Sequence, residues 1–201
     1  MTKQPERKAR IERATKETRV EVQVDLDGAG RSDIQTGSGF FDHMLDHIAR
    51  HGLIDLTVRA AGDLHVDLHH TVEDIGICLG KALVQAVGEP SGLTRYGHAV
   101  VPMDETLAEA TVDFSGRPFL EFKAALPAGS PGGFDAELAE EFFRAVAVNG
   151  RITLHLELRY GKNLHHCLEG LFKAFGRALR EAVQKDPRVT GIPSTKGSLE
   201  L

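Results

Sequence analysis

Polar and apolar residues alternate along positions 18–26, with Val20, Val22, Val24 and Leu26 on one side and Glu21, Gln23 and Asp25 on the other. A period of two is that of a strand buried on one face. Asp27-Gly28-Ala29-Gly30 reads as a turn, after which residues 31–36 return as a second strand. Beyond Gly37-Ser38-Gly39 the period changes. Apolar residues at 40, 41, 44, 45 and 48 share one face of a helix, and Gly52 supplies its stop. Residues 53–61 read as a strand, Gly62-Asp63 as a turn, and residues 69–87 as a helix ended by Gly88.

The second half repeats the end of this order. Residues 136–148 have helical spacing, with Phe142-Phe143 echoing Phe40-Phe41, and Gly150 ends them. Residues 151–159 read as a strand, Gly161-Lys162-Asn163 as a turn, and residues 165–184 as a helix. Upstream strands are expected at 96–102, 105–114 and 117–124, and residues 127–133 form a loop. The sequence therefore predicts an α+β fold in one domain, 1–201, made of two duplicated half-domains, about 1–91 and 92–201, that meet near Glu89-Pro90-Ser91-Gly92. Each half offers a roughly four-stranded sheet with one apolar face and two amphipathic helices, so the helices are expected to pack together between the sheets.

Composition narrows the class. With 201 residues, 41% of them hydrophobic, the chain can bury one sizeable core or two half-domains sharing one. A net charge of -5 argues against nucleic acid as a partner, since phosphate binding needs a basic face. Residues 1–19 are locally basic, but acids interrupt them and no aromatics are interleaved, so they read as a solvated terminal segment. No apolar signal region follows Met1, and no apolar run approaches the roughly 20 residues that span a bilayer. A cytoplasmic protein without membrane contact is expected. Cys78 and Cys167 each fall inside an expected helix and suggest no disulfide framework.

Histidine is the one compositional excess, at ten residues. The pattern His-His-x-x-Glu occurs twice, as His69-His70-Thr71-Val72-Glu73 and as His165-His166-Cys167-Leu168-Glu169. Residues four apart share a helix face, so His69 with Glu73, and His165 with Glu169, can each chelate one ion. His70 and His166 point elsewhere and can serve a second. One copy alone reads as a polar patch at a helix start. Two copies at equivalent positions of a duplicated unit read as metal ligands. His43 and His155 are further candidate donors, and they come from non-equivalent places, aligning with Ala145 and Thr57. Cys167 aligns with Thr71 and is assigned to packing. Imidazole and carboxylate without thiolate suit Mn²⁺ or Fe²⁺ better than a tetrahedral structural Zn²⁺.

At these residues the chain resembles the imidazoleglycerol-phosphate dehydratase family. The resembling stretches include Thr15-Lys16-Glu17-Thr18, Gly39-Phe40-Phe41-Asp42-His43-Met44-Leu45-Asp46, the two His-His-x-x-Glu segments, Asp113-Phe114-Ser115-Gly116-Arg117-Pro118 and Pro193-Ser194-Thr195-Lys196-Gly197. Together they span nearly the whole chain. The resemblance implies a ribosomal protein S5 domain 2-like fold and two Mn²⁺ per active site, held by His43, His69, His70, Glu73, His155, His165, His166 and Glu169. It also implies a homo-oligomer, a 24-subunit shell assembled from trimers, with metal sites shared between chains. Members of the family often carry Gln where this chain has His47, which adds an imidazole able to compete for metal.

The implied reaction is a step of histidine biosynthesis, the dehydration of the small molecule D-erythro-imidazole glycerol phosphate to imidazole acetol phosphate. The C–H to be broken has no neighbouring carbonyl. The implied route passes through a metal-bound imidazolate and a diazafulvene-like intermediate. Glu17 is the implied base, with His43, His69, Glu73, His165 and Glu169 in the catalytic set. Arg95, Arg117, Ser194, Thr195 and Lys196 match phosphate-binding positions, and His51 and Lys173 are further substrate contacts. Two rivals make different predictions. Another dinuclear phosphoester hydrolase would release inorganic phosphate, and a non-catalytic metal-assembled shell would show no turnover.

Overall fold

The computed structural model describes residues 6–201. Its first half runs β1 (Lys8–Ala14), β2 (Thr18–Asp25), β3 (Ser32–Gln35), α1 (Gly39–Gly52), β4 (Asp55–Gly62) and α2 (His69–Val87). The second runs β5 (Tyr96–Met103), β6 (Thr106–Asp113), β7 (Phe119–Lys123), α3 (Leu138–Asn149), β8 (Thr153–Tyr160) and α4 (Leu164–Ala182). The halves build two four-stranded sheets of the same order, β1-β2-β4-β3 and β5-β6-β8-β7. In each sheet only the last pair is parallel. The fold is α+β with duplicated halves.

Alternation decides the strand faces. Val20, Val22 and Val24 of β2 are buried, as are Leu56 and Val58 of β4 and Ala108, Ala110 and Val112 of β6. The intervening polar residues face outward. Two details differ from the sequence reading. The segment before residue 18 is not a free terminus, because Lys8–Ala14 pairs antiparallel with β2. Ala9 is buried, Ile11 packs against the core, and Arg10 crosses to Glu21 at 2.8 Å. Two apolar residues were too few to advertise a strand, and the β2 edge supplied the partner. Residues 1–5, including Lys3, lie outside the described residues. In addition, β3 does not return along β2. It runs parallel to β4, on the far side of the sheet from β1.

The four helices lie between the sheets and exchange partners across the repeat. Helix α1 packs on α4, and α2 packs on α3, so each half's first helix rests on the other half's second. Glycine permits the close crossings. A Cβ on Gly80 of α2 would lie 2.7 Å from the Val146 carbonyl oxygen of α3, and one on Gly176 of α4 would lie 3.0 Å from that of Ile48 in α1. The buried residues of both halves form one hydrophobic cluster. At its centre Phe142 stacks on Phe172 with ring centroids 5.4 Å apart, and Phe41 meets Phe142 edge-on at 5.4 Å. Such pairs add about 0.5–1.5 kcal/mol each beyond area burial. Cys167 is buried against Thr106, with its sulfur 3.7 Å from the hydroxyl, in keeping with a packing role. Among the described residues no helix is long and apolar enough to cross a membrane.

Candidate metal centre

The carboxyl ends of β4 and β8 each feed a His-His-x-x-Glu helix start. At the second, the Asn163 side-chain oxygen accepts from the His165 backbone N–H at 2.9 Å and from that of His166 at 3.4 Å, capping α4. The cap sets the register, so His165 and Glu169 share a face. Glu169 is buried, its side chain 7% exposed. Its Oε2 faces three imidazole Nε2 atoms, from His165 at 3.1 Å, His47 at 3.3 Å and His43 at 3.4 Å. The Nε2 atoms of His43 and His47 lie 3.2 Å apart, and both residues are carried by α1. Lys173, one turn further along α4, pairs with the other carboxylate oxygen.

The electrostatics favour a charged Glu169 carboxylate. Burial alone would raise the Glu169 pKa, but the Lys173 ammonium and the surrounding imidazoles outweigh it and hold the group at about 2. Burial is also the largest influence on His47, lowering its pKa to about 4. His51 stacks behind it, with ring centroids 5.7 Å apart, and burial lowers its pKa too. His166 stands to the side. Its Nδ1 is 2.7 Å from Glu105, which also accepts the backbone N–H of Asn163 at 2.8 Å. The His166 contact leads in bringing Glu105 to about 2, and the same hydrogen bond raises His166.

The first helix start is more open. His70 Nδ1 meets Asp63 at 3.0 Å, and its Nε2 lies 4.0 Å from Glu17. The hydrogen bond to Asp63 raises the His70 pKa. Glu17 sits in the β1–β2 turn, where its backbone N–H donates to the Thr15 hydroxyl at 3.1 Å. His69 is exposed and Glu73 half-buried, and neither takes part in an ion pair among the described residues. Asp74, the next residue, is tied to Arg13 at 2.7 Å and to Thr18.

Within one chain the candidate ligands thus form separate groups. Among the described residues, the set whose donor atoms all converge is His43, His47 and Glu169. His155 lies on the outward face of β8, its ring 6.0 Å from that of Phe119. The phosphate candidates form a third place. Arg95, Arg117, Ser194, Thr195 and Lys196 line a cleft of about 860 Å³. Buried Arg95 donates to Asp113 at 2.7 Å and to the Pro193 carbonyl at 2.8 Å, which pins the tail beside it. The Arg95 backbone N–H donates to Ala182 at the far end of α4. A helix rises 1.5 Å per residue, so this cleft lies about 25 Å along α4 from His165.

The donor chemistry fits a divalent cation. Imidazole nitrogens and a charged carboxylate converge without thiolate, and the carboxylate's second oxygen is tied down. Sequence reasoning raised His47 only as an imidazole able to compete for metal and left it out of the ligand set, although its i,i+4 spacing from His43 on a helix is the signal for one. It gave Asp63 and Glu105 no part in holding an imidazole. Asp63 meets His70 from the turn just before α2, whereas Glu105 meets His166 from a turn 61 residues away.

The imidazoleglycerol-phosphate dehydratase family model matches residues 36–179. The chain is 63% identical over 194 residues to the imidazoleglycerol-phosphate dehydratase of Symbiobacterium thermophilum, covering 96% of this chain and 93% of that protein. It is 58% identical over 193 residues to that of Desulforamulus reducens, covering 96% and 98%. Among solved structures it resembles the Staphylococcus aureus dehydratase, with a TM-score of 0.81, 42% identity, and 89% and 99% coverage. It also resembles the Pyrococcus furiosus protein in complex with (S)-C348, with a TM-score of 0.81, 37% identity, and 94% and 100% coverage.

Proposed function

From the premise that this chain belongs to the imidazoleglycerol-phosphate dehydratase family, we propose that it dehydrates imidazole glycerol phosphate to imidazole acetol phosphate in histidine biosynthesis. The observation that carries the reading is chemical. One place gathers imidazoles around a charged carboxylate, and another lines a cleft with two arginines, a lysine and hydroxyls. A substrate with an imidazole at one end and a phosphate at the other needs both.

In this reading His43, His69, His70, Glu73, His155, His165, His166 and Glu169 hold two Mn²⁺ ions. Bound there, Mn²⁺ supplies Lewis acidity to the substrate's imidazole and oxygens. The protein's own groups do the rest. Asp63 and Glu105 each take the Nδ1 side of an imidazole, which leaves Nε2 of His70 and His166 facing outward. Lys173 keeps Glu169 charged and oriented. Glu17, at the exposed tip of the β1–β2 turn, is the base that takes the carbon-bound proton. Arg117 and Lys196 bind the phosphate, with Ser194 and Thr195 beside them, while Arg95 fixes the tail that carries these hydroxyls.

Separation along α4 supports a site shared between copies. A three-carbon chain cannot bridge the roughly 20 Å along α4 from Glu169 to the cleft, so one chain cannot bring its own cleft and its own Glu169 cluster to one substrate. The outer face of the second sheet carries His155 together with exposed Tyr96, Val100, Phe119 and Tyr160, a surface suited to another subunit. We assign the assembly to a shell of 24 subunits built from trimers.

The test is to strip metal with a chelator, restore Mn²⁺, supply imidazole glycerol phosphate, and follow product while measuring particle mass. A ketone that retains its phosphate, formed only with metal by a large assembly, is expected. Release of inorganic phosphate would replace the dehydratase reading with a hydrolase. Full turnover by metal-free protein, or by monomers, would overturn the metal or the shared-site assignment respectively.

A further inference from the structure

We propose that His47 is a metal ligand in this protein, forming with His43 and Glu169 a three-donor site that a single chain assembles by itself. The ligand set assigned above omits His47, and the proposal uses the atoms of one chain only. It therefore stands apart from the dehydratase reading.

Geometry carries the argument. The edges of the His43 Nε2, His47 Nε2 and Glu169 Oε2 triangle are 3.2, 3.3 and 3.4 Å. The centre of such a triangle lies about 1.9 Å from each corner, so an ion roughly 1 Å out of its plane makes three bonds of about 2.1–2.2 Å, the usual length to nitrogen and oxygen ligands. Two imidazoles and one carboxylate are the donor set that suits Fe²⁺ or Mn²⁺ rather than a closed thiolate-rich zinc site.

Hydrogen bonding alone leaves this triangle unsatisfied. Each neutral imidazole offers Nε2 as a donor or as an acceptor, never both. If both rings donate to Glu169, two N–H groups face each other across the 3.2 Å edge. If one ring donates to the other, the acceptor ring turns a lone pair toward the carboxylate. One edge always lacks its proton, and a cation satisfies all three.

The surroundings hold the donors in place. His43 and His47 are one turn apart on α1, and Glu169 lies on α4. The two helices are locked by backbone-close packing at Gly176. The His47 side chain is 13% exposed and that of Glu169 7%, which limits competing water. Lys173 occupies the second carboxylate oxygen and leaves Oε2 to face the rings. His165 approaches the same oxygen from outside the triangle, at 3.1 Å.

The experiment uses the full chain, stripped by chelation and titrated with Mn²⁺, with the fold of each variant verified by circular dichroism. His47→Gln and His47→Ala are expected to weaken the tightest Mn²⁺ equivalent by about 10- to 100-fold or more. Pulsed magnetic resonance at one equivalent should count one fewer metal-bound imidazole nitrogen in His47→Gln than in the wild type. Added imidazole should restore affinity to His47→Ala by filling the space left by the ring. Unchanged affinity with an unchanged nitrogen count would overturn the proposal. So would weakened affinity with an unchanged count, which would make His47 a packing residue. Tight binding that requires His47 in a protein without dehydratase turnover would overturn the function reading and leave this site standing.

Discussion

The starts of α2 and α4 bear the same His-His-x-x-Glu spacing and occupy the same place in two sheets of the same order. Their carboxylates live in different worlds. Glu169 is enclosed by two imidazoles of α1, by His165 and by Lys173. Glu73 is half-buried, and no ion pair reaches it among the described residues. The difference comes from the crossing helix. Helix α1 crosses α4 and presents His43 and His47, whereas α3 crosses α2 and presents buried Ala145 against Gly76. Duplication kept the helix starts, and the partner helix decided which of them encloses its carboxylate. The open end gained Glu17 instead, 4.0 Å from His70.

The largest expected effect tests that division of labour. Glu17→Gln should lower kcat by about 10²- to 10⁴-fold while metal content and particle mass stay at wild-type values. Normal turnover would remove Glu17 from the mechanism and leave the open end without a chemical role. Next is a matched pair, read by denaturant unfolding of metal-free protein. Glu169→Gln strands the largely buried Lys173 and should cost about 3 kcal/mol. Glu73→Gln breaks no ion pair and should stay within about 0.5 kcal/mol of the wild type. Equal losses would erase the contrast between the two ends.

A smaller effect separates the helix ends from the phosphate cleft. Arg117→Ala removes a charge-assisted contact and should raise KM by about 10- to 100-fold with metal content unchanged. A fall in metal content would connect the cleft to the metal centre within one chain, against the separation along α4. The smallest effect addresses what the two ends share, a carboxylate on Nδ1 of the second histidine. Glu105 is lowered from 4.5 to about 2, so in metal-free protein its contribution to stability is present above about pH 4.5 and lost on acidification toward 2. His166 is raised above 6.5, so its contribution is present below that pH and lost as pH rises through its folded value. Glu105→Gln should flatten the pH–stability curve between those limits, and Asp63→Asn should do the same through His70. A curve unchanged in both variants would mean that neither carboxylate holds its imidazole.

Much of this was written locally. The periods of two and 3.6 placed β2, β4, α1, α2, α3 and α4 to within a few residues, because burial on one face leaves a periodic trace in any chain that folds this way. Strand β1 was missed because Ala9 and Ile11 are too few to leave such a trace, and its place depends on pairing with β2. The two motifs were legible as helix-borne chelators because residues one turn apart are neighbours whatever lies beyond them. By itself, then, the sequence determined the duplicated α+β halves, the histidine- and carboxylate-bearing helix starts and the Ser194-Thr195-Lys196 tail. Only the tertiary structure decided that α1 would cross α4 rather than its own half's α2, that His47 would join Glu169, that Asp63 and Glu105 would take the imidazoles, and that Arg95 would sit at the opposite end of α4 from His165. Apart from the Asp63–His70 pair, those contacts join residues far apart in sequence, and they arise from how the helix faces and sheet layers pack, which no local periodicity encodes.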